Sequence, residues 1–290
     1  MEDQGARPLP SESTVSRILR KHGAVKRRSR RYQPKGKKYP AFPANRPNDV
    51  HEYDFVGPCY LTGGLRFYSL NALDITTRRC GLEAMISKKD VYRSVHNVWK
   101  RLGLPRYAQF DNAMEFYGSP AYPRGMGQVI RLCLHHGVEP VFIPLREPWR
   151  NGAVEKFNDH WESKFYRRVT ITAEEDLYLE NSRFEKRHNS RWRYSPLGGK
   201  TPVQSLATSR RKIDFPDPLR SGNLPKPKSG QYHVMRFIRS DGLLDVFGEK
   251  FSMPAKAVYE YVRATIDVGR QTLTVRLDNQ RIEELDYPCD

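Results

Sequence analysis

The sequence has 290 residues, with 50 Lys and Arg against 33 Asp and Glu, a formal net charge of +17. A hydrophobic fraction of 38%, including 11% aromatic residues, suffices for packed cores and excludes a wholly disordered chain. No apolar run approaches the roughly 18 residues of a membrane span, and the N-terminus lacks a signal-peptide core, so the expectation is a soluble, cytoplasmic protein that does not engage membranes.

The charge is unevenly placed. Residues 231–290 carry 8 basic and 10 acidic side chains, which leaves 42 basic and 23 acidic in residues 1–230. Thr14–Pro40 holds 11 basic residues and no acidic one. Such density predicts a polyanionic partner, nucleic acid above all. The candidate phosphate contacts there are Arg17, Arg20, Lys21, Lys26, Arg27, Arg28, Arg30 and Arg31. Cys59, Cys80, Cys133 and Cys289 form no CxxC pair and read as reduced thiols, without a zinc site or disulfide frame.

In chain order, residues 11–23 predict a helix, with Val15, Ile18 and Leu19 on one face, a serine cap at Ser11 or Ser13, and Gly23 at its end. It reads either as the last helix of an incomplete helix-turn-helix or as a plain amphipathic helix. Residues 24–49 are basic, rich in Pro and Tyr and without periodicity, and read as an extended linker that tracks phosphates. Strands are expected at 50–56, 66–73 and 81–86. A helix follows over 88–103, then a short strand at 106–110, a helix at 125–136 and a strand at 138–143. This alternation predicts an α/β layer around a mixed sheet. Asn151–Arg168 reads as an amphipathic helix through Val154, Phe157, Trp161 and Phe165, and further helices are expected at 173–189 and 202–207. Residues 209–230 read as an interdomain linker. Five short strands between 231 and 287 predict a small C-terminal β-barrel.

Three carboxylates stand where a fold gains no stability from them. Asp54 interrupts a strand, Asp111 ends another, and Glu155 lies in the first turn of the long helix. A buried carboxylate costs stability unless paired or bound to a metal. Three that converge invite a hard divalent cation, and beside a phosphate-attracting surface they suit two-metal phosphoryl transfer. Taken singly, each is equally an edge carboxylate or a cap. Asp159 and Glu162 share a helix side with Glu155, and Asp159 is its rival. Glu52 lies on the strand face of Asp54 and either joins the site or meets solvent. Arg150, Asn151 and Lys156 crowd Glu155 as candidate phosphate contacts, with a solvated basic loop as the alternative.

The stretch 50–207 resembles the catalytic core of DDE-type transposases and retroviral integrases. The phrase Trp149-Arg-Asn-Gly-Ala-Val-Glu155-Lys-Phe-Asn158 carries most of the likeness. Asp111-Asn112 with Glu115-Phe116 resembles the second block, and His51-Glu-Tyr-Asp54-Phe the first. The gaps of 56 and 43 residues between the three acids fit, the second being somewhat long. Tyr194-Ser-Pro-Leu-Gly-Gly-Lys-Thr-Pro202 resembles the trailing block of bacterial insertion-sequence transposases. Phe110 and Ala113 depart from the small hydroxyl residue and the Gly common there, and no N-terminal zinc-binding His/Cys set is present.

The resemblance implies an RNase H-like core over 50–208 with Asp54, Asp111 and Glu155 holding two Mg²⁺ ions, for which Mn²⁺ can substitute. It implies nicking of transposon ends and joining of the freed 3′-hydroxyl to target DNA. The implied partners are double-stranded DNA, as inverted-repeat ends and target, and a second copy of the chain. The implied compartment is the bacterial cytoplasm, at the nucleoid. Two other functions stay open: a non-catalytic DNA-binding relative, and a stand-alone RNase H-like nuclease.

Overall fold

The computed structural model describes residues 10–24, 38–209, 211–219 and 222–289. The chain divides into Met1–Lys37 and Lys38–Asp290. In the first unit a helix, α1 (Glu12–Lys21), starts at Ser11, whose side chain accepts from the Thr14 backbone N–H. Arg17, Arg20 and Lys21 lie on α1, the latter two in its last turn where cations meet the dipole. Lys26, Arg27, Arg28, Arg30 and Arg31 lie outside the described residues.

The second unit is a mixed α/β structure built on one large sheet. Its first elements are β1 (Val50–Tyr60), β2 (Arg66–Asp74), β3 (Cys80–Met85), α2 (Val91–Leu102) and β4 (Tyr107–Phe110). Then come α3 (Met114–Tyr117), α4 (Gln128–His135), β5 (Glu139–Phe142), α5 (Gly152–Trp161), α6 (Glu174–Arg191) and α7 (Pro202–Ala207). The remainder is β6 (Gln231–Phe237), β7 (Leu243–Val246), β8 (Glu249–Ser252), β9 (Tyr261–Asp267), β10 (Thr272–Leu277) and β11 (Gln280–Asp286).

The sheet runs β11-β10-β9-β6-β5-β4-β1-β2-β3, and β7 pairs only with β8. β1, β2 and β3 are antiparallel neighbours, while β1, β4, β5 and β6 run parallel. Helices cover both faces of the sheet around β1. On one face, Val95, Val98 and Trp99 of α2 and Val129, Ile130 and Cys133 of α4 pack against Tyr53, Leu70 and Phe110. On the other, Val154, Phe157 and Trp161 of α5 and Leu177 and Phe184 of α6 pack against Phe67, Leu73 and Leu82.

The exposed edge of β3 is closed by side chains. Asn189 of α6 bonds both backbone groups of Cys80 at 2.9 Å, and Glu185 accepts from the Leu82 N–H at 2.7 Å. Arg101 of α2 reaches Glu185 at 2.9 Å and the Leu82 carbonyl at 3.0 Å. The outward backbone groups of Cys80 and Leu82, the kind through which edges associate, are thereby satisfied.

Three expectations change. The five strands expected as a separate barrel are six, and pairing does not close them. β6 joins β5 in register, Val141 opposite His233 and Phe142 opposite Val234, and β9, β10 and β11 follow. The physical reason is core sharing: Val234, Leu244, Val246, Val262, Ala264 and Ile266 belong to the same cluster as Phe110 and Phe142. Residues 38–49 do not track outward as a linker, since Tyr39, Phe42 and Ala44 pack on Val50, Tyr107, Val141 and Met235. Within 209–230, the described residues are also tied down. Arg211 pairs with Asp49, the Asp217 carbonyl meets His96 Nε2 at 2.8 Å, and Leu224 is buried in the large core.

Candidate functional site at the ends of the parallel strands

The site is built around β1. Glu52 pairs with Gln109 in the β1–β4 register, so continuing that register by two residues sets Asp54 beside Asp111, the first residue past β4. Ligand sites of open α/β sheets sit at such carboxyl ends. Both aspartates are half-buried. Asp54 Oδ1 accepts from the Phe55 N–H at 2.9 Å and Oδ2 from Asn158 Nδ2 at 2.7 Å. Asp111 Oδ1 accepts from the Ala113 N–H at 3.0 Å.

α5 brings in the third acid. Its apolar stripe of Val154, Phe157 and Trp161 is buried, which turns Asn158 toward Asp54. Asn158 also accepts from Asn71 Nδ2 at 2.8 Å, tying the helix to β2. Glu155 lies three residues before Asn158, on the same side of the helix. Asp159 is exposed and pairs with Lys156 at 3.5 Å.

The three carboxyls are all held above their ordinary values. Burial, then Asp111, then Glu155 push the Asp54 carboxyl up to about 7. Burial raises Asp111 as well, opposed by Lys88, and burial with Asp159 raises Glu155. The donor set is all oxygen, carries three negative charges and is penalised for carrying them. That chemistry fits a hard divalent cation, which reverses such repulsion. Among the described residues, however, no three His, Cys, Asp or Glu side chains are gathered closely enough to form a ready metal site.

Glu52 and Asn151 lie inside the fold. Glu52 neither joins the acids nor meets solvent. It is 4% exposed, and its Oε2 accepts from the Ala153 and Val154 N–H groups at 2.9 and 2.8 Å, closing the first turn of α5. Asn151 is 2% exposed; its amide donates to the Tyr53 carbonyl at 2.8 Å and accepts from Gln109 at 3.1 Å, so both ends of the side chain are used inside the fold. The Arg150 guanidinium is held by Glu147 at 3.0 Å and lies 4.1 and 4.8 Å from the ring centres of Tyr39 and Tyr261. Lys156 is exposed, with its ammonium in solvent beside Asp159.

Sequence reasoning passed over two groups. Lys88 pairs with Glu115 at 3.2 Å, lies 4.2 Å from the Phe55 ring centre, and acts on Asp111. Arg236, 4% exposed on β6, donates to Asn112 Oδ1 at 2.9 Å and to the Ile143 carbonyl at 3.0 Å. It thus braces the residue after Asp111. The basic pair Lys88-Lys89 ahead of the α2 helix was visible in the sequence; nothing local marked Arg236.

No family model matches the chain, and no curated protein matches it. Among solved structures it is similar to the HTLV-2 integrase catalytic core domain in complex with magnesium, trimeric form, at 14% identity over 56% of this chain and 97% of that one, TM-score 0.43. It is also similar to a simian T-cell lymphotropic virus intasome chain, at 13% identity over 96% and 89%, TM-score 0.48. A third is the BIV integrase catalytic core domain, at 15% identity over 55% and 94%, TM-score 0.41. Likenesses this loose assign no role to any residue. No helix among the described residues is long and apolar enough to cross a membrane.

Proposed function

We propose that the protein is a DDE-type polynucleotidyl transferase, a DNA transposase with an RNase H-like core. The observation that supports this reading is that Asp54 lies on β1 and Asp111 just past the adjacent parallel strand β4, with Asp111 and Glu155 both raising the Asp54 carboxyl. The sequence blocks around the three acids support it.

In this reading Asp54, Asp111 and Glu155 hold two Mg²⁺ ions. Bound there, the ions supply charge stabilisation at a phosphodiester and a nucleophilic oxygen at neutral pH. The chain's own residues set the stage. Asn158 and the Phe55 N–H fix the Asp54 carboxylate, while Glu52 anchors the start of α5 and so the position of Glu155. Lys88 offsets part of the negative charge near Asp111. Lys156 and the cations of α1 and of residues 26–31 attract the phosphates of DNA. A non-catalytic DNA-binding relative is the second reading, favoured by the open arrangement of the three carboxylates.

A strand-transfer assay with end DNA and Mg²⁺ separates these. Joined products that vanish with EDTA support the transferase. Nicking without joining points to a nuclease, and binding without any cleavage to the second reading.

A further inference from the structure

Away from the carboxylates, a cleft of about 490 Å³ opens where α5 and the π turn after it (Glu162–Tyr166) meet α6. Lys164, Arg168, Arg187 and Arg191 line it. Among the described residues, the ion pairs on these elements are Lys156–Asp159, Arg167–Glu162, Arg183–Glu180 and Arg101–Glu185. Among the described residues, none of the four cleft cations has a carboxylate partner. Arg168 spends only its Nε, on the Ser163 carbonyl at 3.1 Å. Four cations that the fold leaves uncompensated at one opening repel each other, and an anion relieves that cost.

The floor of the cleft is aromatic. Phe184 and His188 are buried there, and Trp192 closes one side with 41% of its surface exposed. Its indole packs on His160 at 4.0 Å between ring centres and lies parallel to His188 within 11°. Burial holds both histidines neutral, His160 down to about 4 with help from Lys164 and Lys156, and His188 down to about 3. The cations are therefore the arginines and the lysine, and the platform between them is uncharged.

An acidic polypeptide needs only the charges. A nucleic-acid strand uses charges and platform together, since phosphates meet the cations while an unpaired base finds a flat π face. Lys156 and Lys164 are eight residues apart, about 12 Å along the helix, so a strand leaving the Glu155 end reaches the cleft within a few nucleotides.

We propose that this cleft binds a single-stranded segment of nucleic acid, with phosphates against Lys164, Arg168, Arg187 and Arg191 and a base stacked on Trp192. The choice of polymer rests on the DNA transferase reading; the binding itself does not rest on Asp54, Asp111 or Glu155.

The test uses the full chain in EDTA, so that no cleavage enters. Fluorescence anisotropy of a labelled oligothymidine, and of its duplex with oligodeoxyadenine, is followed across KCl concentrations. The double variant Arg187→Gln/Arg191→Gln should lower the salt slope for the single strand by about 1.4, at roughly 0.7 per lost phosphate contact. Trp192→Ala should weaken single-strand binding about tenfold, leave the duplex nearly unchanged, and be largely rescued by Trp192→Phe. An unchanged slope in the double variant overturns the proposal. So does a Trp192→Ala effect equal on both probes, or polyglutamate binding that falls as much as oligothymidine binding does. If the shifts appear but metal-dependent joining does not, the transferase reading fails and the cleft stands.

Discussion

Asp54 is asked to carry charge where burial and two neighbouring acids oppose it. Removing that charge should separate function from stability. Asp54→Asn, Asp111→Asn and Glu155→Gln are each expected to cut joining by roughly 100-fold or more, the scale for losing one preorganised charge-stabilising group. Asp54→Asn should meanwhile unfold at a temperature close to wild type at pH 8, because removing the buried charge offsets the loss of one of the two hydrogen bonds that Asp54 accepts from Phe55 and Asn158. In the same melts, millimolar Mg²⁺ should raise the wild-type midpoint by mass action and leave the Asp54→Asn midpoint where it was. Equal shifts in both proteins would place the ions elsewhere.

His51 carries a different residue-scale prediction. It is fully buried, bonded through Nε2 to Asn48 at 3.0 Å, and burial with Arg79 and Arg211 lowers it from 6.5 to about 3. Below about pH 6.5 the unfolded chain takes up a proton that the folded imidazole refuses. Its contribution is therefore intact above that pH and lost as pH falls toward 3. The stability gap between wild type and His51→Gln should narrow by about 1–2 kcal/mol between pH 7.5 and 5. Urea denaturation at the two pH values checks this, and a constant gap refutes it.

At the scale of elements, α5 depends on an acid from another element. Glu52 satisfies two backbone N–H groups that the helix cannot satisfy itself. Glu52→Ala should destabilise the fold by about 1–3 kcal/mol, and Glu52→Gln, which keeps an acceptor, by less. Denaturant midpoints at constant m-value are the measure. This anchor illustrates what the sequence disclosed. The stripe of Val154, Phe157, Trp161 and Phe165 disclosed the long helix because it is a local periodicity, and short apolar runs rich in β-formers disclosed β1 to β3. The π turn at Glu162–Tyr166 keeps that stripe inward and leaves no local mark. β11 escaped because an edge strand with mostly exposed residues has little apolar pattern to show. The positions of Asp54, Asp111 and Glu155 were legible as odd carboxylates, whereas the roles of Glu52, Asn151 and Arg236 were not. Each of these three acts on residues remote in sequence, and a buried polar contact of that kind has no signature before the chain is folded.

For the whole molecule the decisive contact is β5 with β6. Only two residue pairs define it, across some ninety residues of chain, and alternation names strands but not their partners. A chain ending at residue 230 would leave the β5 edge unpaired and strip Val234, Leu244, Val262 and Ile266 from the core around Phe110 and Phe142. We expect that truncation to lose cooperative unfolding and to elute in the void volume on gel filtration. A monomeric, cooperatively melting fragment would instead establish that the C-terminal strands fold independently. The Arg236 brace bears on inheritance. Its guanidinium holds Asn112 from a strand encoded more than a hundred codons downstream. Hybrid genes that swap the tail of one homologue onto the body of another will work only when the crossover keeps these two positions from the same parent.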